Sequence, residues 1–99
     1  MDKPRLDHIA LAVPSLEEAR RAYELLGFAC GDVGEFPSEN KREVYGEMRP
    51  VRVLLQQPLS DQGPIARHLS RRGAGVHHLG VVVPDLAAYL DGIAGSGWF

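Results

Sequence analysis

The sequence predicts an α+β domain: one complete β–α–β–β–β module, followed by the opening strand and helix of a second. Three observations carry this. The chain repeats itself at an offset of 70 positions, each copy opens with an aliphatic run stopped by proline, and a capped helix follows at once. Leu6-Asp7-His8-Ile9-Ala10-Leu11-Ala12-Val13-Pro14-Ser15-Leu16 aligns without a gap on Val76-His77-His78-Leu79-Gly80-Val81-Val82-Val83-Pro84-Asp85-Leu86. His8 falls on His78, Val13 on Val83, Pro14 on Pro84 and Leu16 on Leu86; farther on, Gly27-Phe28 falls on Gly97-Trp98.

The aliphatic runs from Ile9 to Val13 and from Leu79 to Val83 read as strands covered on both faces. Pro14 and Pro84 end them, because proline has no N–H to give a sheet ladder. Ser15 then offers a hydroxyl cap and Glu18, three residues later, completes a capping box; Asp85 offers the cap in the second copy. Apolar residues at 16, 19, 22, 23 and 26 form a helical stripe, with Glu17, Glu18, Arg20, Arg21 and Glu24 turned to water. Gly27 closes this helix in a left-handed conformation. Three extended segments are predicted next: Phe28 to Val33, then a polar loop over Gly34–Asn40, Arg42 to Met48, and, after a turn at Arg49-Pro50, Val51 to Gln57. In the last, Val51, Val53 and Leu55 share one face and Arg52, Leu54 and Gln56 the other.

Residues 1–57 thus form the first module, 58–75 a connector with a short helix from Ile65 to about Arg72, and 76–99 a partial second module. By the offset, the second module's remaining strands would fall at about 98–127, past Phe99. An apolar sheet face and a strand edge are left uncovered, so the expectation is either a longer parent chain or pairing with a second copy in a homodimer.

The 99 residues are 44% hydrophobic with a net charge of −2, which excludes a disordered chain and a basic surface for nucleic acid or an anionic membrane. A local basic cluster, Arg67, His68, Arg71 and Arg72, reads as a solvated helix face or a place to hold phosphate. The single cysteine, Cys30, rules out an intramolecular disulfide and reads as a buried, inert thiol. With a polar N-terminus and no apolar run near 20 residues, no signal peptide or membrane span is expected, and the cytoplasm is the expected compartment.

His8 and His78 open the repeated strands in the same register. Two copies packed about a pseudo-twofold axis would aim both imidazoles into one cavity, where they would make half of a divalent metal site. The alternative is a pair of strand-end histidines satisfied by hydrogen bonds. Strand alternation turns His77 to the opposite face, as a packing or supporting group; His68, on the connector helix, reads as exposed.

Leu6-Asp7-His8-Ile9-Ala10 opening a β–α–β–β–β unit resembles the vicinal oxygen chelate superfamily, which includes glyoxalase I, extradiol dioxygenases and methylmalonyl-CoA epimerase. More narrowly, Pro58-Leu59-Ser60, Pro64-Ile65-Ala66, Leu69, Arg72-Gly73 and Gly75-Val76-His77-His78-Leu79 resemble the epimerase branch. The resemblance implies the vicinal oxygen chelate fold and a small-molecule substrate of the acyl-CoA kind. It also implies a divalent metal (cobalt, manganese, nickel or zinc) and a glutamate that removes the proton beside a thioester carbonyl. His8 and His78 match metal ligands, and Glu43 matches the catalytic glutamate. The family's third ligand position falls on Leu54, which cannot coordinate; Gln56, two residues on and on the same side, is the available substitute. The fourth lies on a strand past residue 99. The resemblance therefore implies a metal-dependent isomerase with an incomplete ligand set. Beside it stand a metal-free small-molecule binding protein of the bleomycin-resistance type, which Leu54 favours, and a glyoxalase-like or ring-cleaving enzyme.

Overall fold

The computed structural model describes residues 3–95; the expected equivalence of Gly97-Trp98 with Gly27-Phe28 lies outside them. The elements are β1 (Arg5–Ala12), α1 (Leu16–Leu26), β2 (Ala29–Cys30), β3 (Gly34–Phe36), β4 (Lys41–Met48), β5 (Val51–Pro58), α2 (Gly63–Arg72), β6 (Gly75–Val82) and α3 (Leu86–Gly95). They build one mixed sheet in the order β2-β4-β5-β1-β6, with β3 also paired to β4. β1 runs parallel to β5 and antiparallel to β6.

α1 starts and stops where its end residues dictate. The Ser15 hydroxyl accepts the Glu18 N–H at 3.2 Å, and Gly27 takes a φ of 110°, which a side chain would strain. The helix seats Leu16 against Val13, Val44, Val53 and Leu55 on one face of the sheet, with Ala19, Tyr23, Phe28 and Cys30 around them. The Gln57 amide oxygen accepts the Leu16 N–H at 2.7 Å and ties α1 to β5. Leu26, expected in the buried stripe, is 67% exposed, so the stripe is buried only in its earlier turns. On the opposite sheet face Ala10, Ala12, Leu54 and Gln56 are buried, as are Ile65 and Ala66 of α2, which packs on β5. β5 is therefore covered on both sides, which is why its sequence lacks a clean alternation.

The expected strand over Phe28–Val33 is cut to two residues. Gly31 and Asp32, poor strand formers, interrupt it after the Gly31 N–H reaches the Tyr45 carbonyl at 3.0 Å. The expected loop Gly34–Asn40 instead holds β3 and a 3-10 turn at Pro37–Glu39.

The seam between β1 and β6 joins the two copies of the repeat. Ile9 pairs with Leu79, His8 with Gly80, and Ala10 with His78. Residues equivalent in the repeat thus face one another, and a pseudo-twofold axis passes between Ile9 and Leu79. The ladder is irregular in two places, and the extra residues, Asp7 and His77, are themselves equivalent by the 70-residue offset. Beyond the seam, Leu79 and Val81 are 59% and 47% exposed, and α3 buries none of its residues. Among the described residues no helix is long and apolar enough to cross a membrane.

Candidate functional site

A bulge lets two neighbouring side chains share one side of a strand. In β1 it brings Asp7 to His8, where Nδ1 lies 2.9 Å from the carboxylate Oδ2. In β6 it brings His77 to His78, with the two Nδ1 atoms 2.8 Å apart. The expectation that His77 points away from His78 is thereby overturned: alternation fails where the ladder carries an extra residue. His68 is corrected as well. It is half-buried, and its ring lies 5.3 Å from that of His77. The His77 ring is 5.1 Å from His78, and the His78 ring 5.6 Å from His8. All four histidines of the chain form one row across the seam.

With Nδ1–H donating to Asp7, the His8 ring presents the lone pair of Nε2, and that atom is buried without a hydrogen-bond partner. The His8 hydrogen bond holds the Asp7 carboxyl below its ordinary range, against desolvation and with help from the Arg52 guanidinium 3.4 Å away. Arg52 also lies over the Tyr45 ring, 3.8 Å from its centre, so the supporting groups continue onto β4. Across the seam, a Cβ at Gly80 would overlap the His8 ring. Gly80 is therefore part of the site, and only its pairing with Ala10 in the repeat marks it in the sequence.

Glu43 and Gln56 meet by register: they are direct cross-strand partners on β4 and β5. The Gln56 amide donates to Glu43 Oε1 at 3.0 Å, and Lys41 Nζ lies 2.9 Å from the same oxygen. Burial works to lower the Lys41 pKa, but Glu43 and Glu39 outweigh it and lift the ammonium above its ordinary value. Gln56 is 3% exposed, and its Oε1 is buried with no partner. Leu54 lies on the same face opposite Tyr45, so the polar side chain that β5 presents beside Glu43 is Gln56. Beside them a cleft of about 470 Å³ is lined by Lys41, Gln56, Pro64, Ile65, His77 and His78 among others. Burial pushes His78 below its ordinary pKa, with His77 and His8 adding to the effect; burial, then His68, does the same for His77. Both are neutral at pH 7 and keep a lone pair.

Among the described residues no three histidine, cysteine, aspartate or glutamate side chains converge as a metal site. Of the four buried side-chain atoms without a hydrogen-bond partner among the described residues, two are arginine Nε atoms; the other two are an imidazole nitrogen and an amide oxygen, neutral donors of the kind that borderline divalent ions accept, beside a second imidazole. The residues fit such an ion. Cys30 is half-buried against the core, and burial raises its thiol pKa, which keeps it protonated.

Residues 7–98 match the profile of the Glyoxalase/Bleomycin resistance protein/Dioxygenase superfamily. The chain belongs to this superfamily. The ethylmalonyl-CoA/methylmalonyl-CoA epimerase of Cereibacter sphaeroides is 33% identical over 95 residues, covering 94% of this chain and 71% of that protein. The mitochondrial methylmalonyl-CoA epimerase of Bos taurus is 34% identical over 84 residues, covering 83% of this chain and 48% of that protein. Thus the chain spans about half the length of the bovine relative. The crystal structure of methylmalonyl-CoA epimerase from Mycobacterium tuberculosis superposes with a TM-score of 0.78 at 28% identity, over 93% of this chain and 63% of that one. The glyoxalase-like fold that the resemblance implied is the fold observed.

Proposed function

We propose that this chain carries the proton-abstracting site of a metal-assisted epimerase acting on a branched malonyl-type thioester of coenzyme A. One observation carries the reading. Two buried atoms that can coordinate but have no partner, His8 Nε2 and Gln56 Oε1, lie on the sheet face that also presents Glu43. The names of the relatives supply the substrate class. Glu43 Oε1 is tied to Gln56 and Lys41, while Oε2 has no partner among the described residues and is the atom placed to take a proton. Lys41 and Gln56 fix the rotamer of this base, and Asp7 fixes the ring of His8. A divalent ion (cobalt, manganese, nickel or zinc) held by His8, His78 and Gln56 would supply Lewis-acid polarisation of the substrate's carbonyl oxygens. With Gln56 in that role, Leu54 no longer argues for a metal-free binder.

The test is exchange of the α-proton of methylmalonyl-CoA in heavy water, followed by NMR. Glu43→Gln is expected to slow exchange by about 100-fold or more. Exchange that survives this substitution would remove Glu43 from the role. Calorimetric titration with cobalt, manganese, nickel and zinc that releases no heat would reject the metal and favour the binding-protein reading. A homodimer belongs to the same proposal, supported by the exposed apolar side chains of β6 and α3; light scattering that returns a monomer removes it. A cytoplasmic setting is supported by a single cysteine kept as a thiol.

A further inference from the structure

The first turns of β6 and the length of α2 enclose a second cleft, of about 370 Å³, lined by Pro64, Arg67, His68, Arg71, Arg72, Val76 and His77. Arg67 and Arg71, and His68 and Arg72, are spaced four apart, so two adjacent rows of cationic or donor groups run along one side of the helix. α2 contains no acidic residue. Among the described residues none of its three arginines has a carboxylate partner, whereas Arg20 has one and Arg42 and Arg52 have two each. A merely solvated row needs no concavity; this one lines a wall.

The two clefts are neighbours with shared walls. Pro64 and His77 line both, and the edge-on contact of His68 with His77 lies at their boundary. From Pro64, which lines both clefts, to Arg71 the helix rises about 10 Å. Guanidinium groups bind phosphate oxygens in pairs and hold the charge at every physiological pH.

We propose that this arginine-lined cleft binds the phosphate end of the substrate's nucleotide handle, while the thioester end occupies the neighbouring cleft. The inference rests on the acyl-CoA reading given above, but its test reads binding rather than turnover. Free coenzyme A, pantetheine (the same arm without phosphates) and inorganic pyrophosphate are titrated by calorimetry into the wild-type chain and into an Arg67→Gln/Arg71→Gln/Arg72→Gln variant. In the wild type coenzyme A binds at least about 10-fold tighter than pantetheine, and in the variant the two bind within about 2-fold. Pyrophosphate binds only the wild type and is displaced by coenzyme A. Raising the salt from about 50 to about 200 mM weakens coenzyme A binding to the wild type and leaves pantetheine binding unchanged. A preference for coenzyme A that persists in the variant, or no preference at all, overturns the proposal. Pyrophosphate binding that coenzyme A does not displace assigns the arginines to free phosphate, and overturns it too. Should the variant fold poorly by circular dichroism, the salt dependence of the wild type decides. Proton exchange on methylmalonyl-pantetheine separates the two claims: it persists in the variant when the catalytic reading is right, whatever the arginines do.

Discussion

Replacing Gly80 with alanine places one methyl group where the His8 ring lies. The added Cβ would stand 2.5 Å from Nδ1 and 2.8 Å from Nε2 of that ring, far inside van der Waals contact at about 3.5 Å. The backbone of Gly80 is not in the left-handed region, so the collision alone sets the cost. Relief requires the ring to swing away, which breaks its 2.9 Å bond to Asp7 and its edge contacts with Tyr45 and His78. Overpacking of this kind costs about 1–3 kcal/mol. A double-mutant cycle by urea denaturation isolates the effect, because His8→Ala removes the obstacle. Gly80→Ala is expected to cost about 1–3 kcal/mol in the wild-type background and almost nothing in the His8→Ala background. If the two costs agree within about 0.5 kcal/mol, the ring does not occupy this space, and the geometry argued for the seam is wrong.

Gln56→Leu keeps the side-chain bulk but removes the free amide oxygen, and is expected to weaken cobalt binding about 10-fold or more by calorimetry; unchanged affinity takes Gln56 out of the ligand set. His77 and His78 titrate below their ordinary value of 6.5 in the fold, so the unfolded chain binds their protons first. Their contribution is complete above pH 6.5 and falls away as the pH drops toward the lowered values. In chelator, the urea midpoint should therefore fall between about pH 7.5 and 5.5, and fall less in a His77→Asn/His78→Asn variant; equal slopes would contradict the assignment. Leu16→Ala empties a position only 1% exposed and should cost about 2–5 kcal/mol in the same denaturation assay. Ser15→Ala removes the cap on α1 and should cost about 1 kcal/mol, with a smaller helical signal on heating.

The parts of this fold that were legible in the sequence are those written as side-chain pattern. The 70-residue repeat foretold the pseudo-twofold, because like residues in like registers pack against each other, and Ile9 does meet Leu79. Ser15 and Gly27 announced the ends of α1 through their own chemistry. β3 was hidden because Gly34-Glu35-Phe36 has no alternation and owes its pairing to β4. The bulges at Asp7 and His77 were hidden for a similar reason: an extra residue in a ladder is a property of two strands, and period-two reading of one strand assigns His77 to the wrong side. Gln56 stood second to Leu54 because counting back from the Pro58-Leu59 turn lands on Leu54. The cross-strand register, which a single strand does not reveal, sets Gln56 beside Glu43. Arg67, Arg71 and Arg72 were visible as a cluster, but only packing of α2 beside β6 gives them a cleft to line.

The pairing of Ile9 with Leu79 also fixes when the histidine row can exist. Closing a loop of this length is entropically costly, and contacts between distant residues slow folding. Neither half of the polypeptide holds the imidazole pair alone. A chain severed between residues 59 and 62 would yield two pieces, and the contact between the His8 and His78 rings would return only as they recombine, second order in their concentrations.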